Sequence, residues 1–197
     1  MTQNELLDRL EQDLRAQLEL VRATFNASDI QQLRRRPSDP RRWNALECFE
    51  HLNRSYNDYL PQIELAIHRA KARKILSDGT QPIRYSWLGK QAIRWAISPA
   101  SKRYKTLKRY NPLGSEVPDT ALKSFLINTE KVLRLIQMSR EIDVNRTKVR
   151  FAVIPMLKYR LGNLLEFMTT HVQRHVSQAQ RVLEEIATQH GSASNIH

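Results

Sequence analysis

A chain of 197 residues is long enough for one domain with a buried core, and 41% hydrophobic residues is ordinary for a soluble globular fold. No apolar run approaches the roughly 18 residues of a membrane span, and a single cysteine, Cys48, excludes an internal disulfide. The formal charge of +12 is concentrated in one place: residues 69–110 hold twelve Lys/Arg against one acid, Asp78.

The N-terminal MTQNELLDRLEQDL is acidic and amphipathic, unlike the basic start and apolar run of a secretory leader. With the single cysteine, this points to a cytoplasmic protein. From about Asn4 to Ala27, Leu6, Leu7, Leu10, Leu14, Leu18, Val21 and Phe25 recur at three-and-four spacing, which predicts a first amphipathic helix. Pro37 and Pro40 make the Arg34–Arg42 stretch a connection. A second helix is expected from near Trp43 to about Leu76, with Cys48, Leu52, Tyr56, Tyr59, Ile63 and Ile67 inward and a kink at Pro61. Residues 79–117 are less regular. They read as a long basic crossover with a short helix around Trp87–Ile97 and breaks at Ser98-Pro99 and Asn111-Pro112-Leu113-Gly114.

A third helix is predicted from Pro118 or Asp119, with Ala121, Leu122, Phe125, Leu126, Thr129, Val132, Leu133 and Ile136 inward. An irregular connection follows at about 141–156. The fourth helix is expected from about Lys158 to Gln189, with Leu161, Leu164, Leu165, Met168, Val172, Val176, Ala179, Val182, Leu183 and Ile186 inward. The expected fold is therefore all-α: a four-helix bundle forming one domain over 1–190, with a disordered tail at 191–197.

Histidines interrupt the inward stripes. His171 and His175 are one turn apart and share a face. Leu161, Met168, His175 and Val182 are spaced by sevens, as are Leu164, His171 and Gln178, so both rings take core positions. His51 lies on the inward stripe of the second helix beside Cys48, Leu52 and Ser55. A buried imidazole needs a partner for each ring nitrogen. One divalent metal ion serves all three rings at once and leaves a coordination position open, as in catalytic sites. The bland alternative is that these are core histidines satisfied by protein groups. The pair is not a zincin motif, because His171-Val172-Gln173-Arg174-His175 has no carboxylate between its histidines.

Trp43-Asn44-Ala45-Leu46-Glu47-Cys48-Phe49-Glu50-His51-Leu52-Asn53 resembles the second-helix motif of the DinB-like (YfiT-like) metal-binding four-helix-bundle family. Leu161-Gly162-Asn163-Leu164-Leu165, followed by His171, His175 and Gln178, resembles that family's last helix. The resemblance spans about Trp43 to Leu183. It implies a bundle whose three histidines hold zinc, nickel or another divalent ion, and frequent homodimers. It also implies a metal-dependent hydrolase or thiol-dependent transferase acting on an unidentified small molecule.

Imidazole ligands suit iron and copper as well. Glu47, one turn before His51, is a candidate base or ring-orienting group, and Gln178, one turn after His175, a candidate to orient a ligand ring or substrate. A second class of function rests on the basic segment, where Lys102, Arg103, Lys105, Lys108 and Arg109 interleave with Tyr104 and Tyr110. That pattern suits an anionic partner such as nucleic acid or an anionic membrane surface. A closed coordination shell would instead mark a purely structural ion.

Overall fold

A computed structural model of the chain describes residues 1–25, 27–97, 106–151 and 156–193, with side chains through residue 189. Four long helices form the bundle: α1 (Gln3–Phe25), α3 (Ala45–Ala72), α5 (Ala121–Met138) and α6 (Leu161–Ala193). Two short helices, α2 (Ile30–Arg34) and α4 (Trp87–Ala96), lie in the connections. Among the described residues no helix is long and apolar enough to cross a membrane.

The inward stripes form one continuous core that runs from Leu6 through Ile63 and Phe125 to Val176. Both α1 and α3 pack against α5 and α6, so α1 and α3 sit on opposite corners of the bundle. Pairings along the helices give their directions. Arg9 pairs with Glu166 near the starts of α1 and α6, so these two run the same way. Asn53 reaches the Ala121 carbonyl, Tyr56 the Thr129 hydroxyl and Lys71 the Glu141 carboxylate, so α3 and α5 are parallel. Arg42 pairs with Glu185 and His51 lies against His171, so α3 and α6 are antiparallel.

Several boundaries differ from those the pattern predicts. Asp29 caps the five-residue α2, its side chain accepting from the Gln31 N–H, in a stretch too short to show a period. Pro61 lies inside α3 without dividing it. A turn closed from the Ala121 N–H to the Pro118 carbonyl delays the start of α5.

The connection after α5 contains a small antiparallel hairpin, β1 (Lys148–Arg150) and β2 (Lys158–Arg160), with Val149 opposite Tyr159. Both of those residues point into the core. Three-residue strands are too short for alternation to declare itself, and β2 takes the first three residues expected of the last helix. At its other end α6 runs through Ala193, three residues into the stretch expected to be disordered, and 194–197 lie outside the described residues.

The crossover is fastened to the bundle where α4 begins. Ser86 caps α4 by accepting from the Gly89 N–H. The Asn163 side chain of α6 accepts from the Ser86 N–H at 3.0 Å and donates to the Arg84 carbonyl at 3.3 Å. Gly89 faces the same asparagine, and a Cβ built there would lie 2.7 Å from the Asn163 Cβ. Close approach of α4 to α6 therefore requires glycine. Gly89→Ala is expected to push α4 off α6 and destabilise the fold by about 1–3 kcal/mol, the usual cost of overpacking. Urea unfolding checks this, and an unchanged midpoint would count against the close packing.

Candidate metal centre

The start of α3 is set by a reciprocal cap. Asn44 accepts from the Glu47 N–H at 2.8 Å, and Glu47 accepts from the Asn44 N–H at 2.9 Å. Glu47 is buried, and Arg36 donates to both of its carboxylate oxygens, at 2.8 and 3.2 Å. This carboxylate is engaged in fixing the helix end. Two turns into α3, His51 projects towards α6, where it meets His171 and His175.

The three rings converge. Their candidate ligand atoms all lie within 4.8 Å of one another. Ring centroids are 5.0 Å apart for His51 and His171, 4.5 Å for His51 and His175, and 4.6 Å for His171 and His175. His51 and His175 are buried, and His171 is half-buried. Trp43, immediately before the cap, lies 4.7 Å from His51 and 5.7 Å from His175, centroid to centroid. Phe167 stacks on His171 from the preceding turn of α6 at 5.3 Å. Aromatic walls thus enclose the imidazoles on two sides.

Hydrogen bonds at the rear of two rings decide which nitrogen faces inward. His51 Nδ1 lies 2.8 Å from the Tyr110 carbonyl oxygen. A carbonyl only accepts, so Nδ1 carries the proton and Nε2 of the neutral ring presents a lone pair. His175 Nδ1 lies 3.0 Å from the Gln178 side-chain oxygen, which fixes the same tautomer by the same logic. His51 Nε2 and His171 Nε2 are 3.1 Å apart. Without a cation, the His171 Nε2–H donates to that lone pair. With metal–nitrogen bonds of about 2.0–2.1 Å, a 3.1 Å separation subtends roughly 100° at an ion, close to tetrahedral or octahedral angles. The donor set therefore fits a divalent ion.

Electrostatics keep these rings in the ligand-competent neutral form. Burial pushes the His51 pKa down to about 4, against the opposing pull of the Tyr110 carbonyl. Burial also holds His171 and His175 well below the ordinary histidine range, and neighbouring histidines and Arg174 push the same way. Cys48 is fully buried one turn before His51, and burial raises its thiol well above the usual range, so it stays a protonated core residue.

The structure brings His51, His171, His175 and Gln178 to one place, and it sets Glu47, a candidate base in the sequence, at the helix cap instead. The sequence gives no sign of the Tyr110 carbonyl, a backbone group that any residue would supply. Nor does it show that Trp43 lies against His175, because that contact crosses between segments distant in the chain. Of the basic residues singled out, Lys102, Arg103 and Lys105 lie outside the described residues, as do Ser98-Pro99 and Tyr104. Lys108 is exposed on a single 3-10 turn, and Arg109 beside it pairs with Asp58.

The model of the DinB superfamily matches residues 8–179, which takes in most of α1, all of α3 and α5, the first part of α6 and the three histidines. The chain belongs to the DinB superfamily. No curated protein and no solved structure matches it. Within this DinB-superfamily chain, the Asn163 of the last-helix motif serves to hold the crossover, and the Trp43–Asn53 motif supplies the cap, an aromatic wall and His51.

In the metal-free protein, His51 and His175 are expected to be neutral Nδ1–H tautomers, and His51 is expected to titrate near pH 4. The folded ring takes up its proton at lower pH than the unfolded ring. Its contribution to stability is therefore complete above about pH 6.5 and is lost as pH falls towards 4. Long-range nitrogen–proton NMR on histidine-labelled protein tests both points. Nε2–H tautomers, or titration of His51 at the ordinary value, would contradict the geometry.

Proposed function

We propose that this DinB-superfamily protein holds one divalent metal ion on His51, His171 and His175 and uses it on a small-molecule substrate. The observation that carries the reading is the orientation of the rings. Two rear hydrogen bonds aim Nε2 of His51 and of His175 inward, where His171 Nε2 stands 3.1 Å from the first. Neutral imidazoles fixed in this way by a carbonyl and an amide are what a metal site requires of its ligands and of the groups behind them. Zinc and nickel are the favoured ions, with iron and copper also suited to imidazole.

When bound, such an ion supplies Lewis acidity that lowers the pKa of a water or thiol, the chemistry of a hydrolase or a thiol-dependent transferase. The chain's own residues do the rest. Trp43 and Phe167 limit water around the rings and strengthen electrostatic interactions there. Arg174, between the two histidines of α6, brings a positive charge close enough to depress both, which favours an anionic reactant. Glu47 acts through the helix that carries His51, since its carboxylate closes the cap and binds Arg36.

Elemental analysis of protein purified without a polyhistidine tag is expected to find about one divalent ion per chain. His171→Ala is expected to remove it, while the exposed His68 can be changed to Ala without loss. Full metal content in His171→Ala would sink the proposal. Reaction class is then read from metal-loaded protein, by comparing ester hydrolysis with thiol conjugation before and after chelation.

A further inference from the structure

The carbonyl that orients His51 belongs to a segment with little means of holding itself in place. Lys108–Tyr110 is a single 3-10 turn, at the end of the basic crossover. Such a turn has too few internal hydrogen bonds to be rigid on its own. It is tied to α3 by two side chains that follow His51 along the same helix.

Asp58 lies two turns after His51 and so shares its side of the helix. The Tyr110 hydroxyl donates to one Asp58 oxygen at 2.6 Å, and Arg109 donates to the other at 2.6 Å. The Arg109 guanidinium also lies over the Tyr110 ring, 5.2 Å from its centroid. Burial and the adjacent Asp58 raise the Tyr110 pKa, so the phenol remains a donor. Arg54, one turn before Asp58, donates to the Asn111 carbonyl at 2.7 Å and to the Ser115 hydroxyl at 2.7 Å. Glu50 accepts from the Arg54 Nε at 2.8 Å and steadies it. The peptide group of Tyr110 is therefore held from both sides: by its own side chain on Asp58, and by the next residue's carbonyl on Arg54.

We propose that Asp58 is a positioning residue for the metal centre: by gripping Tyr110 and Arg109 it keeps the Tyr110 carbonyl on His51 Nδ1. The grip sets the tautomer and angle of the His51 ring, and through them the affinity of the site. Asp58 lies five residues beyond Asn53, the end of the family-like motif, and its carboxylate binds Arg109 and Tyr110, not a histidine. The proposal rests on the three-histidine reading above.

The test uses the full chain, stripped of metal and titrated calorimetrically with zinc and, separately, with nickel. Histidine-labelled NMR of the metal-free state reads the His51 tautomer. Asp58→Asn is expected to weaken metal binding by about tenfold or more, the usual scale for losing an outer partner of a ligand. His51 should then show a mixture of tautomers. Tyr110→Phe keeps the carbonyl and loses only the hydroxyl, so it should shift both readouts the same way by less. Glu130→Gln, which breaks an exposed ion pair with Arg22 between α1 and α5, should change neither.

If the unaltered protein binds neither ion, the three-histidine reading falls and this proposal falls with it. If the unaltered protein binds metal, and Asp58→Asn and Tyr110→Phe bind it equally well with an unchanged His51 tautomer, the proposal alone is overturned. Should Asp58→Asn fail to fold, Tyr110→Phe decides the matter.

Discussion

Three imidazoles stand together where a helical bundle would otherwise place aliphatic side chains. His51 and His175 are buried and His171 half-buried, so ring nitrogens lose water there, and a helix core has few backbone groups left to satisfy them. The surrounding structure is arranged around that constraint. A carbonyl from the crossover and an amide from the next turn of α6 take the rear nitrogens of His51 and His175. The remaining nitrogens face one another across a gap of atomic size. Between His51 and His171 the two facing Nε2 atoms share one proton, which leaves the pair able to turn both lone pairs to a cation.

The crossover between α3 and α5 contributes more than a connection. At one end Asn163 binds its backbone at Arg84 and Ser86, and Gly89 lets α4 lie close on α6. At the other end Arg54 and Asp58 bind residues 109–115 to α3. The same segment holds most of the chain's excess positive charge. Its two anchors join it to α6 and α3, the two helices that bear the histidines. An anionic molecule drawn to this charge would arrive at an element already in hydrogen-bond contact with the site.

Helix capping links secondary structure to chemistry at the other side of the centre. Asn44 and Glu47 close the first turn of α3, and Arg36 neutralises the buried carboxylate. A helix whose first turn is firmly ended gives His51, two turns on, a defined height opposite α6. Trp43, just outside the cap, is thereby laid across two of the three rings. A local capping preference thus decides the shape of a site formed between distant segments.

The bundle and its histidine cluster were legible in the residues because helical periodicity is a local property. Leu6 to Phe25, Cys48 to Ile67, Phe125 to Ile136 and Leu161 to Ile186 each declare an inward face, and a histidine on such a face declares itself by being polar there. The β1–β2 hairpin and α2 were not legible, since three to five residues carry too little period to detect. Nor was the role of Tyr110, whose working atom is a backbone oxygen. Asp58 belongs to no motif or inward stripe in the sequence, and Glu47 looked free to serve the site until the cap and Arg36 accounted for its oxygens. By itself the sequence determined which faces are buried and which three imidazoles share the interior, because spacing along a helix is set by 3.6 residues per turn. Only tertiary structure decided which nitrogen of His51 points inward, because that depends on a hydrogen bond to a group 59 residues away along the chain, the Tyr110 carbonyl.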